Sequence, residues 1–186
     1  MTRTKSAAVS MLLGLFIVAT AASAARAGDL RWISASVGSG ENVDVLRVEG
    51  LWQPDCECAW LARVGATPML SAHVEYWNAR GDRHPNDNTW SAGVLAGAHW
   101  LLSERSRWKP YIEIGIGAIG VTDTHIGNRN LTSPILFDER LATGFALDPA
   151  GKYQLAAYAE HRSNGKIKQP NDGLTTYGLE LRVALP

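Results

Sequence analysis

Hydrophobic and polar positions alternate with a period of two through most of the chain. In Trp108–Thr122, WKPYIEIGIGAIGVT, Ile112, Ile114, Ile116 and Ala118 share one side, while Glu113, Gly115, Gly117 and Ile119 share the other. Successive side chains of a β-strand point to opposite faces, so this spacing predicts a strand with an apolar side and a small or polar side. The pattern returns over Ile135–Leu147, with Ile135, Phe137, Leu141, Phe145 and Leu147 set against Asp138, Arg140, Ala142 and Gly144. It returns again near the C-terminus, where Tyr177, Leu179, Leu181 and Val183 alternate with Gly178, Glu180 and Arg182. Turn-forming stretches such as GSGEN, NARGDRHPNDN and DPAGK punctuate it. Eight strands are expected, at about 30–37, 43–52, 60–78, 88–104, 108–122, 134–147, 153–163 and 175–185.

Eight amphipathic antiparallel strands fit either a soluble barrel that is apolar inside or an outer-membrane barrel that is apolar outside. The charges on the minor face choose between them. Glu113, Asp138, Arg140, Glu160, Glu180 and Arg182 would be costly in a dry core but can pair within a narrow polar lumen. Trp60, Trp77, Trp90, Trp100, Trp108 and Tyr111 lie near strand ends or along long strands, as interfacial aromatics often do. The fold class expected is therefore all-β, an eight-stranded antiparallel transmembrane barrel of the outer membrane.

The N-terminus agrees with export. Arg3 and Lys5 precede an apolar stretch, AAVSMLLGLFIVATAA, and small residues follow up to Ala27, the layout of a cleaved signal peptide. Cleavage after Ala27 leaves residues 28–186 as one barrel domain, and its 15 basic and 18 acidic side chains give no reason to expect nucleic acid. Cys56 and Cys58 are separated by a single residue. That spacing closes only a strained disulfide, and two sulfurs fall short of a zinc set, so an incidental or structural thiol pair is expected.

The run GIGAIG, Gly115–Gly120, matches the dinucleotide fingerprint, but that fingerprint must open a helix whose N-terminus holds a pyrophosphate. The following VTDTHIGNRN opens none. These glycines are read as barrel-interior positions. His73, His84, His99 and His125 are scattered over different strands and loops, a spacing that does not suit a shared metal site.

EHRSNGKIKQPNDGL, Glu160–Leu174, is a different case. His161 and Ser163 fall on the odd, more apolar face of the seventh strand, which in an outer-membrane barrel meets lipid. With a periplasmic N-terminus this strand ends at the outer leaflet. A polar strand end at the interface is one reading of the pair. A hydroxyl that an imidazole can deprotonate, hence acyl transfer, is the other. Geometry alone leaves the two level.

The same run, together with YIEIGIGAIG and FDERLATGFAL, resembles the PagL-type outer-membrane lipid A 3-O-deacylases, whose pattern is His-x-Ser-Asn followed by Lys-Gln-Pro-Asn-Asp-Gly. The likeness is close over the second half of the mature chain and extends to the first half in strand pattern. It implies hydrolysis of the ester-linked acyl chain at position 3 of lipid A. Ser163 would be the nucleophile and His161 the general base, with Asn164 and Asn171 shaping the oxyanion region. No metal or cofactor is implied. Lipid A of lipopolysaccharide is the implied substrate, and a homodimer is left open.

One departure matters. The family carries an acid just after the Asn-Asp-Gly-apolar turn, and this chain has Thr175 there, which cannot supply the charge that steadies an imidazolium. Pairing the sixth and seventh strands around DPAGK sets Glu139 opposite His161, within reach of a carboxylate–imidazole bond. Glu139 is the candidate orienting acid, with a plain strand-end glutamate as the competing reading, and Asp172, in the turn, is a weaker candidate. Lys166 and Lys168 suit lipid A phosphates and solvated loop positions equally. The alternatives to a deacylase are a non-enzymatic structural or lipid-binding outer-membrane barrel that has lost the acid, and a soluble lipocalin-like carrier.

Overall fold

The computed structural model describes residues 30–54, 58–81 and 87–186. The expected signal peptide, Cys56 and His84 lie outside the described residues. Eight long strands form the wall: β1 (Leu30–Gly40), β2 (Val43–Trp52), β3 (Thr67–Ala79), β4 (Asn88–Leu101), β5 (Tyr111–Val121), β8 (Ile135–Ala146), β9 (Tyr153–Ser163) and β10 (Leu174–Ala184). A short helix α1 (Ala59–Arg63) precedes β3, and two-residue strands β6 (His125–Ile126) and β7 (Arg129–Asn130) form a hairpin between β5 and β8. Neighbouring strands are antiparallel, and β10 pairs with β1 to close the barrel. Closure leaves no unpaired edge, which is what allows strands to cross a bilayer.

The alternation holds along the wall, with charge inside and hydrocarbon outside. Glu75, Asp138, Glu160, Arg162, Glu180 and Arg182 are buried in the lumen, whereas Val37, Val48, Ile116, Leu141 and Leu179 are exposed on the outer surface. A buried charge is tolerable only when paired, and here the pairs interlock across the lumen. Arg47 donates to both oxygens of Glu160 at 2.6 Å; Arg162 reaches Glu75 at 2.6 Å and Glu160 at 2.8 Å; Arg182 binds Glu113 at 2.7 and 2.6 Å. Arg140 pairs with Glu180. An outward cation has no such partners. Leu141→Arg is therefore expected to destabilise the folded barrel by about 2–4 kcal/mol, measurable by reversible unfolding in lipid vesicles.

Three expectations change. The strand expected from residue 60 begins only at Thr67, because Ala59–Arg63 is helical. Its Ala and Leu are good helix formers, Leu61 packs with Ala66 and Ala98, and Gly65, at φ +69°, ends the turn. Trp60 consequently lies on the helix rather than on a strand. Trp77 and Tyr111 are not interfacial: both are buried. Trp77 donates to Glu75 at 2.7 Å, and Tyr111 stacks on His99 with ring centres 5.1 Å apart. Trp90 and Trp108 are exposed on the outer surface.

One end of the lumen is closed by an apolar layer. Val43, Val45, Trp77, Ile119, Leu136 and Leu174 pack there against Ile126 and Leu131 from the β5–β8 connection. This plug lies at the end of the barrel opposite the chain termini, where β9 also finishes.

Candidate active site

The site begins with strand parity. Arg162 is fully buried, held by Glu75 and Glu160 and donating to Thr176 Oγ at 3.1 Å. Its ion pairs fix which way β9 faces, so the neighbours on either side, His161 and Ser163, must face outward. His161 is exposed and Ser163 half-buried, on the outer wall at the plugged end.

Register supplies the neighbours. β8 sets Glu139 opposite His161 and Phe137 opposite Ser163, the pairing derived from the DPAGK turn, where Leu147 N–H donates to Tyr153 O at 2.8 Å. β10 sets Thr175 opposite His161 on the other side. The imidazole bonds Thr175: Nδ1 and Oγ1 are 2.9 Å apart. Glu139 is exposed and directly across, but the imidazole's hydrogen bond goes to Thr175.

Ser163 Oγ accepts a long bond, 3.4 Å, from Gly165 N–H. His161 and Ser163 share a face without bonding each other. In unliganded enzymes such bonds are often long and tighten only around substrate.

The loop after Ser163 is braced from within. Asn164 is buried; its side-chain amide donates to Leu131 O at 2.9 Å and Lys168 O at 3.1 Å, and its backbone N–H donates to Asn171 Oδ1 at 3.0 Å. The two asparagines thus fix the shape of the loop, and the N–H that donates to Ser163 Oγ is that of Gly165. Asp172 is engaged elsewhere, accepting from Asn130 N–H at 2.6 Å. Lys166 and Lys168 are exposed on the loop surface.

Gly173 sits at φ +59°, and a Cβ there would lie 3.2 Å from His161 Cε1. Gly173→Ala would combine a strained backbone with pressure on the imidazole. We expect about a tenfold loss of kcat with the barrel still folded, checked by steady-state assay beside circular dichroism.

Two residues that sequence reasoning did not single out complete the surroundings. Glu41, in the β1–β2 turn, accepts from Thr175 N–H at 2.7 Å. Arg129 lies 3.3 Å from the same carboxylate and donates to the carbonyls of Asp172 and Gly173, each at 3.0 Å. No local motif could have announced them, because each contact joins parts of the chain that are far apart in sequence.

Residues 48–184 match the family described as Lipid A 3-O-deacylase (PagL). The chain belongs to this family. Among PagL relatives, the Lipid A deacylase PagL of Bordetella bronchiseptica is 31% identical over 168 residues, covering 88% of this chain and 89% of that protein. The Lipid A deacylase PagL of Pseudomonas aeruginosa is 30% identical over 155 residues, covering 82% and 86%. The crystal structure of the outer membrane enzyme PagL superposes with a TM-score of 0.69 at 28% identity, covering 83% of this chain and 99% of that one. The Yersinia pestis outer membrane protein Ail, at 11% identity and a TM-score of 0.53 over 84% of this chain and 99% of that one, shares the fold. Membership in the PagL family also fixes the compartment: this is an enzyme of the bacterial outer membrane.

Proposed function

We propose that this chain is a lipid A 3-O-deacylase, an ester hydrolase that removes the acyl chain from position 3 of lipid A, with Ser163 as nucleophile and His161 as general base. The observation that carries this reading is a His-x-Ser pair on the lipid-facing wall, its imidazole tethered through Nδ1, in a chain of the PagL family. With the N-terminus on the periplasmic side after removal of residues 1–27, the pair meets the outer leaflet, where lipopolysaccharide resides.

The chemistry follows from the tether. Thr175 Oγ accepts from Nδ1–H, leaving Nε2 free to take the Ser163 proton. Ser163 Oγ then attacks the ester carbonyl, and the bond to the 3-oxygen breaks as the imidazolium returns its proton to that leaving oxygen. Water, deprotonated by the same imidazole, releases the acyl chain from Ser163. Gly165 N–H, on a loop shaped by Asn164 and Asn171, is the donor suited to the developing oxyanion. Glu139 faces His161 from β8. One chain carries every group involved, so the reaction needs no second copy.

The outer wall also offers room for hydrocarbon. A groove of about 480 Å³ lined by Val37, Leu46, Tyr177 and Leu179 begins one outward position along β10 from Thr175, and an acyl chain lying in it would keep its ester near Ser163. A fluorophosphonate probe tests the nucleophile directly. Labelling of Ser163, identified by peptide mass spectrometry and lost in His161→Asn, is the expected result; an unlabelled serine in folded, catalytically active protein would overturn the assignment.

A further inference from the structure

Thr175 holds the imidazole but brings no charge, and the question left by the site is where that charge comes from. β1 and β2 are joined by the two residues Glu41 and Asn42, both at positive φ, +51° and +65°. Such a turn matches the twist of a hairpin but favours Asn, Asp or Gly at both positions. A glutamate at the first is a poor backbone choice. Its side chain supplies a reason: the carboxylate crosses to β10 and accepts from Thr175 N–H at 2.7 Å, on the residue whose hydroxyl holds His161 at 2.9 Å. Arg129 lies 3.3 Å from the same carboxylate oxygen. The carboxylate is exposed, so water screens part of its field and its reach is short.

We infer that Glu41 is a positioning residue for the deacylation, replacing the missing family acid by acting on His161 through Thr175. It fixes Thr175 through the backbone N–H and lends negative charge to the imidazolium that forms when Ser163 is deprotonated. This rests on the deacylase reading above. The other charged groups around His161 are Glu139 on β8, Arg129 on β7, and Asp172, Lys166 and Lys168 in the loop before β10. Asp172 is tied to Asn130, which leaves Glu139 as the rival source.

The test uses the purified full chain in detergent micelles with lipid A as substrate. Glu41→Gln keeps an acceptor for Thr175 N–H and removes the charge. We expect kcat to fall about tenfold with KM unchanged. A negative neighbour favours the imidazolium, so its loss should move the acid limb of the pH–rate profile to lower pH. NMR titration of His161 reads the same shift without turnover. In a Thr175→Glu background, which restores an acid at the family position, the cost of Glu41→Gln should shrink to less than about twofold.

Equal activity and an unchanged His161 titration in Glu41→Gln would overturn the inference, as would a titration that moves with Glu139→Gln alone. So would a fall in activity with no change in titration, which marks a merely structural turn. Undiminished activity in Ser163→Ala would instead sink the proposed mechanism, while the titration would still report on Glu41.

Discussion

Ser163→Ala is expected to lower ester cleavage by about a thousandfold or more without disturbing the barrel. The side chain ends on the outer wall, half-buried, and its one hydrogen bond among the described residues is a long contact from Gly165. Its removal therefore costs the fold little. Catalysis loses the only hydroxyl that His161 can activate on that face of β9. Nucleophile and base act as a unit, so His161→Asn should cost a similar factor and the double variant hardly more. Initial rates of fatty-acid release, with unfolding midpoints measured in parallel, check both halves of the expectation. A simple product of the two single losses would argue against a shared mechanism.

Arg162→Ala should have the largest effect on stability, on the order of 3–5 kcal/mol. The guanidinium is fully buried and compensates Glu75 and Glu160, while its central carbon lies over Trp77, 5.2 Å from the ring centre. Truncation takes one cation away from Glu75 and Glu160 and leaves them to Arg47 and Arg140. Because the same residue fixes the facing of His161 and Ser163, activity should fall with stability. Denaturant titration in vesicles reads the first effect. Arg162→Lys, which keeps the charge but not the forked geometry, should recover only part of it.

The period of two was enough to read the wall, its inward charges and the outward pair at His161 and Ser163, because each depends on parity alone. The DPAGK turn was enough to read the β8–β9 register, because a short hairpin leaves little freedom in pairing. Residue type misleads where it conflicts with parity. Trp77 is aromatic, but it shares a face with His73 and Glu75, both lumenal, and so belongs inside as a donor to Glu75. Helix α1 escaped because five residues are too few to display a helical period. The Glu41–Thr175–His161 chain escaped for a different reason: β1 meets β10 only when the barrel closes, and no short-range pattern encodes that contact. Glu139 shows the limit of register itself, which correctly paired it with His161 but could not say that Thr175, on the other side, would take the bond.

The most direct measurement is mass spectrometry of lipid A from Gram-negative cells expressing this chain, beside Ser163→Ala and His161→Asn variants shown to reach the outer membrane. Loss of one acyl group from position 3 is expected with the parent chain, and unaltered lipid A with either variant. Unaltered lipid A with a folded, inserted parent barrel would contradict it, and would mean that Thr175 marks a PagL fold whose chemistry has been lost.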